Sequence, residues 1–380
     1  MQTIRAATLY TGTEVLENAT LAWEGDRLTS VGQGAGEGPL YPVVTPALID
    51  AHSHIGLIRS GEPGAEAEAN EHMDAMLAHA DVLDSIQMDD AGFRESIEAG
   101  VLYACVLPGS GNIIGGDSAV IRNYAGNTND ALICRAGIKA AFGYNPMSVR
   151  EWQGSRPYTR MGALAILRGK LHDVRNKLAQ EAAVAEKGEG EAPRYSAEET
   201  VLRALLRREQ RLRVHVHKAD DVAALLRFVD EFGLDVVIEH TCDVHDGQTY
   251  RELAARGIPV VYGPLDTLAY KVELKHENWR NLAYLVSSGV TYGLMTDHPV
   301  ILQKTLLLTL RWFLRVGLSK QAALEIITRQ NAAILGVDDV LGTLAEGKWA
   351  SFVCWSGDPF ALESYPVAVY AEGALIHQEA

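Results

Sequence analysis

The sequence predicts an eight-stranded α/β barrel, accompanied by a small β-domain assembled from both ends of the chain. Three observations predict it. Strand-like and helix-like segments alternate through the middle of the chain, short β-segments cluster at both termini, and ionisable residues recur at the ends of predicted strands. Such alternation argues for a parallel sheet, and at 380 residues for a closed barrel with an appendage. A hydrophobic content of 47% is enough to fill the core of a barrel.

The terminal segments come first. Ile4 to Tyr10, Ala19 to Trp23 and Arg27 to Val31 read as strands, the last two joined by a Gly25-Asp26 turn. The C-terminal part has the same texture in Gly342-Thr343-Leu344, Lys348 to Trp355, Val367 to Tyr370, Gly373 and Ile376. Residues 1–45 plus 340–380 are therefore expected to form one composite β-domain, and residues 46–339 the barrel.

The barrel opens on the apolar run Val43 to Ile49, which leads into Asp50-Ala51-His52-Ser53-His54. Residues i and i+2 of a strand share a face, so both imidazoles aim at one point, an arrangement suited to a Zn²⁺-type ion. A strand end that merely carries two polar residues is the alternative. Gly56 to Asn70 reads as a mobile loop, Met88 to Ala99 as a helix and Val101 to Leu107 as a strand. The glycine-dense Pro108 to Asn112 and Gly115-Gly116 suit either a ligand-approaching turn or a plain hairpin, and no Gly-Lys-Ser/Thr follows to make a phosphate loop.

Further strands are expected at Ser118 to Arg122, Leu132 to Cys134 and Gly137 to Phe142. Helices follow at about Met161 to Glu186 and Ala197 to Gln210. Strand Leu212 to His217 precedes a helix, Asp220 to Phe232, stopped by Gly233. Strand Asp235 to Glu239 ends at His240, strand Ile258 to Tyr262 follows a helix near Gln248 to Ala255, and strand Val290 to Met295 ends at Asp297. Helices Pro299 to Arg315 and Lys320 to Leu335 close the region.

His52, His54, Lys139, His215, His217, His240 and Asp297 thus all fall at C-terminal ends of predicted strands, where barrel enzymes carry their catalytic groups. In this order along an α/β barrel, they resemble the amidohydrolase superfamily of metal-dependent hydrolases. Pro46 to His54 is similar to the family's first-strand motif, and Gly342 to Lys348 resembles its return to the terminal domain. Within the superfamily, the text looks most like the imidazolonepropionase-like and Xaa-Pro dipeptidase-like members.

The resemblance implies a (β/α)8 TIM-type barrel with a small β-sandwich domain from both termini, and one or two divalent metal ions, with zinc favoured. It carries over His52 and His54 as ligands of the more buried metal, and His215 and His240 as ligands of the second. Asp297 becomes a metal ligand and the proton shuttle beside metal-activated hydroxide. Lys139 matches the position where two-metal members carry a carboxylated lysine bridge; an ordinary solvent-facing lysine is the alternative. His215 is expected to ligate, leaving His217, together with Tyr144 and Arg160, to face the substrate; Arg156 is a weaker candidate.

The implied activity is hydrolysis of a C–N bond in a small cyclic amide, imidazolone-like ring or dipeptide. The alternatives are a deaminase of a small heterocycle and a non-catalytic assembly protein on the same fold. Deaminases of this superfamily have a glutamate three residues after the fifth-strand histidine, and Lys218 stands there instead.

A net charge of −15 argues against nucleic acid or an anionic membrane surface as partner and leaves a small-molecule substrate. Homo-oligomerisation is left open. Cys105, Cys134, Cys242 and Cys354 form no C-x-x-C pair and read as free thiols of a reducing compartment. With no signal peptide at Met1 to Arg5 and no apolar run of about 18 residues, the expectation is a cytoplasmic protein.

Overall fold

A computed structural model describes residues 1–34, 36–148 and 154–379. The strands in chain order are β1 Gln2–Tyr10, β2 Val15–Glu24, β3 Arg27–Gln33, β4 Leu40–Pro46, β5 Leu48–Ser53, β6 Val101–Val106, β7 Ile114–Arg122 and β8 Leu132–Ala141. They continue with β9 Leu212–Val216, β10 Val236–His240, β11 Val260–Tyr262, β12 Tyr292–Leu294, β13 Phe352–Trp355, β14 Pro366–Ala371 and β15 Ala374–Gln378.

The two ends of the chain meet in one seven-stranded sheet, ordered β15-β14-β13-β4-β1-β2-β3. The Gly25-Asp26 turn joins β2 to β3, with Glu24 opposite Arg27. Ile4, Leu21, Trp23, Val44, Phe352 and Cys354 share a buried cluster, in which Trp23 meets Phe352 edge-on at 5.3 Å. A single residue, Ala47, separates β4 of this sheet from β5 of the second, so β5 is anchored at its base by the terminal sheet.

The second sheet has eight strands in the order β12-β11-β10-β9-β8-β7-β6-β5 and is nearly closed. Strands β5, β6, β9 and β10 are buried at every position, as expected for strands covered on both faces. The gap between β12 and β5 is spanned by the buried Asn331. Its side chain accepts from Leu294 N at 2.9 Å and donates to Leu294 O and Ile49 O at 2.8 and 2.7 Å. Just beyond the strand ends, Asp297 N donates to His52 O (3.1 Å) and His54 N to His298 O (3.0 Å).

The strand–helix rhythm expected from the sequence holds for most of the sheet but not at β7, which runs antiparallel to both β6 and β8. The reason is chain length. Residues 107–113 and 123–131 are shorter than the roughly dozen residues of a parallel crossover, so the chain turns back on itself. The glycine-dense Pro108 to Asn112 is the first of these turns, and Gly111 N donates to Asn70 Oδ1 at 2.8 Å.

The two strands expected around Leu132 and Gly137 are one strand, β8. Gly137 sits within it at φ +111°, and a Cβ there would lie 2.4 Å from Arg211 O. The sequence interruption therefore marks a close approach rather than a chain break. The helix Arg160–Lys187 matches its predicted span within a residue, starting from the Thr159 cap and ending at Gly188. The region after Asp297 is more broken than expected, with short helical pieces between Gln303 and Arg315 and a π-type turn at Ile326–Gln330. Among the described residues, no helix is long and apolar enough to cross a membrane.

Candidate metal centre

Strand alternation does for His52 and His54 what their spacing predicts, with ring centroids 5.1 Å apart and both side chains buried. His52 Nδ1 faces Glu239 Oε2 at 3.0 Å, and His54 Nδ1 faces the Leu107 carbonyl at 2.7 Å. A carbonyl only accepts, so His54 carries its proton on Nδ1 and presents a lone pair at Nε2. That atom lies 3.0 Å from Asp297 Oδ1, which is also 3.4 Å from His52 Nε2. Two acceptors so close need a cation, proton or metal, to hold them together.

His240 is brought in by a different device. Glu239 lies beside His215 in the β10–β9 register and reaches His52, so an ordinary strand would turn the next residue away. His240 and Thr241 instead adopt φ +76° and +62°. Such backbone costs about 1–3 kcal/mol per residue and recurs at functional sites. The His240 ring thereby comes 4.4 Å from that of His215, 4.7 Å from His217 and 5.0 Å from His52. Its Nδ1 faces Gly263 O at 2.8 Å, leaving Nε2 buried without a hydrogen-bond partner among the described residues. Asp297, at φ +53°, completes the ring.

The donor atoms fit a divalent cation. His215, His217 and His240 offer nitrogens within 4.8 Å of one another, and His52, His240 and Asp297 offer a second such group. Nδ1 of His215 and of His217 are also buried and have no hydrogen-bond partner among the described residues. Burial, then neighbouring positive charge, holds His215, His217 and His240 well below the usual imidazole range, which keeps them neutral as ligation requires.

Lys139 is fully buried with Nζ 3.5 Å from His52 Nε2, and burial lowers it to about 8. This excludes the alternative of a solvent-facing lysine.

The other sequence candidates lie in different surroundings. His217 joins the donor cluster alongside His215. Tyr144 is half-buried in the turn after β8. Arg160 lines a cavity of about 440 Å³ with Phe142, Met161 and Lys218, but its guanidinium is paired with Asp221 at 2.6 and 3.2 Å. Arg156 donates to the backbone carbonyls of Asp74 and Glu71. Lys218 pairs with Asp243 at 3.1 Å. The same carboxylate takes His276 Nδ1 at 3.2 Å, so the nearby Asp243–His245–His276 group is already internally satisfied at its acid.

Four supporting residues went unnoticed as site residues in the sequence. Asp50 accepts from Thr296 N and Gln303 Nε2, both at 3.0 Å, and from Thr296 Oγ1, tying β5 to the segment that carries Asp297. Burial nonetheless pushes its carboxyl up to about 6. Arg213, below the ring, donates to Ala51 O at 3.0 Å and lies 2.8 Å from Glu239 Oε1, at an angle too poor for a hydrogen bond. A charged residue inside an apolar strand, as in Leu-Arg-Val-His-Val or Val-Val-Ile-Glu-His, was the available signal, since buried charges must pair. Glu273, in a surface-like Lys-Val-Glu-Leu-Lys stretch, gave no signal, yet it is fully buried against His215.

The amidohydrolase family model matches residues 43–375. The amidohydrolase tasK of Hapsidospora irregularis is 26% identical over 355 residues, covering 87% of this chain and 36% of its own length. The chain thus spans about a third of that relative. The crystal structure of an amidohydrolase from Thermotoga maritima MSB8 is 30% identical and superposes with a TM-score of 0.92 over 99% of this chain and 100% of that one. A prolidase complexed with N-methylphosphonate-L-proline shares the fold at 17% identity, with a TM-score of 0.64 over 99% of both chains.

Proposed function

The chain belongs to the amidohydrolase family, and from that premise we propose that it is a metal-dependent hydrolase of a C–N bond in a small cyclic amide, imidazolone-like ring or dipeptide. The observation that carries this reading is the convergence of buried, neutral ring nitrogens with free lone pairs on the Asp297 carboxylate. His52, His54 and Asp297 would hold one ion, His215 and His240 a second, and a carboxylated Lys139 would lie between them. When bound, such ions supply hydroxide at neutral pH by lowering the pKa of water to about 7.

The chain's own groups do the rest. Asp297 would take a proton from the attacking water and return it to the leaving nitrogen, the cycle a hydrolysed amide needs. The lowered Lys139 amine has a neutral fraction available to react with carbon dioxide, which removes the positive charge that would otherwise repel the ions. Lys218, held by Asp243, stands three residues after His215 where a deaminase of this superfamily has a glutamate, which favours amide-type C–N hydrolysis over deamination.

In this reading, residues 46–339 are the catalytic barrel, a (β/α)8 TIM-type barrel modified at β7, and residues 1–45 plus 340–380 the composite sandwich domain. The four free cysteines suit a cytoplasmic site of action.

Purified without chelator, the protein is expected to hold about one to two equivalents of zinc or a similar ion. In a screen of dipeptides, N-acyl amino acids and cyclic amides, turnover should disappear on metal removal and return on reloading. Metal-free protein with full activity would sink the proposal. Lys139→Ala should lose one ion and regain part of its activity with a short carboxylic acid, read by metal analysis and rate together. Unchanged stoichiometry would place the centre in the one-metal class.

A further inference from the structure

We propose that Glu273 is a positioning residue: its carboxylate fixes His215 with the proton on Nε2, so that Nδ1 turns a lone pair into the donor cluster. This rests on the reading of the cluster as a divalent-metal centre. Glu273 lies on a 3₁₀ turn, Val272–Leu274, where Val272 is 67% exposed and Glu273 is 0% exposed. A buried carboxylate must find donors. Oε2 accepts from Tyr144 N at 3.1 Å, Oε1 lies 3.7 Å from Lys271 Nζ, and Oε1 is 3.3 Å from His215 Nε2.

An ionised carboxylate can only accept, so Nε2 of His215 must donate. A neutral imidazole has one N–H, and Nδ1 is then the lone-pair atom. That atom has no hydrogen-bond partner among the described residues. Three other histidines of the site are mounted the opposite way, with Nδ1 of His52, His54 and His240 facing Glu239, Leu107 O and Gly263 O, while His217 shares the orientation of His215. His215 therefore needs an acceptor on its outer side, and Glu273 is that acceptor. His217 Nε2, at 3.9 Å from the same oxygen, is outside hydrogen-bond range, so the carboxylate distinguishes the two histidines of β9 and its extension.

The seat for Glu273 is built. Gly143 follows β8 at φ +85°, and a Cβ there would meet Asp221 Oδ2 at 2.8 Å and Glu273 Oε2 at 3.3 Å. The backbone can approach the carboxylate only because that atom is missing. It follows that residues 272–274 must be seated for the donor set to be complete.

The test compares wild type, Glu273→Gln and Glu273→Ala by zinc affinity, by ¹⁵N–¹H multiple-bond NMR of histidine-labelled protein with and without zinc, and by thermal melting as a fold control. Wild type should show His215 as the Nε2–H tautomer. Glu273→Ala should lose about 10–100-fold in zinc affinity and shift His215 toward Nδ1–H, with His54 and His240 unchanged. Glu273→Gln keeps the shape and an accepting oxygen, and should fall between the two. Unaltered zinc affinity with His215 still Nε2–H in Glu273→Ala would overturn the proposal. Wild-type protein that binds no zinc would defeat the metal reading instead, and the metal-free tautomer spectra would still decide the role of Glu273.

Discussion

Asp297→Asn is expected to lower kcat by at least about 10³-fold while most of the bound metal remains. Loss of a positioned acid or base costs roughly 10²–10⁴-fold, and Asp297 is asked to serve as both. The amide keeps the shape of the carboxylate and an oxygen donor, but it cannot hold a transferable proton. The backbone should tolerate the change, because asparagine accepts the left-handed φ of +53° at this position as readily as aspartate. His52 and His54 keep their outer partners, Glu239 and Leu107 O, so the ring stays aimed. Steady-state rates on metal-loaded protein, alongside metal analysis of the same sample, measure both halves. Turnover within tenfold of wild type would mean that another base does the work.

Arg213→Ala is expected to destabilise the fold by about 3–5 kcal/mol, the usual cost of stripping one partner from a buried ion pair. The guanidinium is fully buried beneath the ring, and Glu239 Oε1 lies 2.8 Å away. Burial would raise the Glu239 carboxyl; Arg213 and His52 outweigh it and hold it below the ordinary range. Without Arg213 the carboxylate keeps only His52 and the nearby Lys139. The Arg213→Ala/Glu239→Ala double variant should therefore lose less than the sum of the single variants, because neither charge is then abandoned. Urea unfolding of the three variants at neutral pH gives the comparison. A single-variant loss below about 1 kcal/mol would show the pair to be unimportant.

The two effects are linked through one side chain. Glu239 joins Arg213 at one oxygen and His52 Nδ1 at the other, so the charge that stabilises the barrel interior also orients a donor of the site. Stability and ligand geometry cannot be tuned separately here.

Much of this was legible in the sequence because it depends on local rules. The pairing of His52 with His54 follows from the two-residue period of a strand, and placing His215, His240 and Asp297 at strand ends required only segment boundaries. Meeting of the terminal β-segments in one sheet was readable from their shared texture. The stop of the helix Ala219–Phe232 at Gly233 was readable from capping chemistry.

What the sequence by itself determined was the set of chemical groups and the strand ends that carry them. Tertiary structure alone decided how they are held. The hairpin offered at Pro108 to Asn112 left the direction of β7 open, and its pairing with both β6 and β8 settled it as antiparallel. The inward turn of His240 required a left-handed backbone that no residue type announces. Arg160 was offered to substrate by the sequence, and the fold commits it to Asp221. Glu273 reaches His215 across 58 positions of chain. Imidazole tautomers are set by whatever acceptor lies on the outer side of each ring, and those acceptors come from elsewhere in the sequence. Residue identity is a local property; hydrogen-bond partners and burial are properties of space, and only folding assigns them.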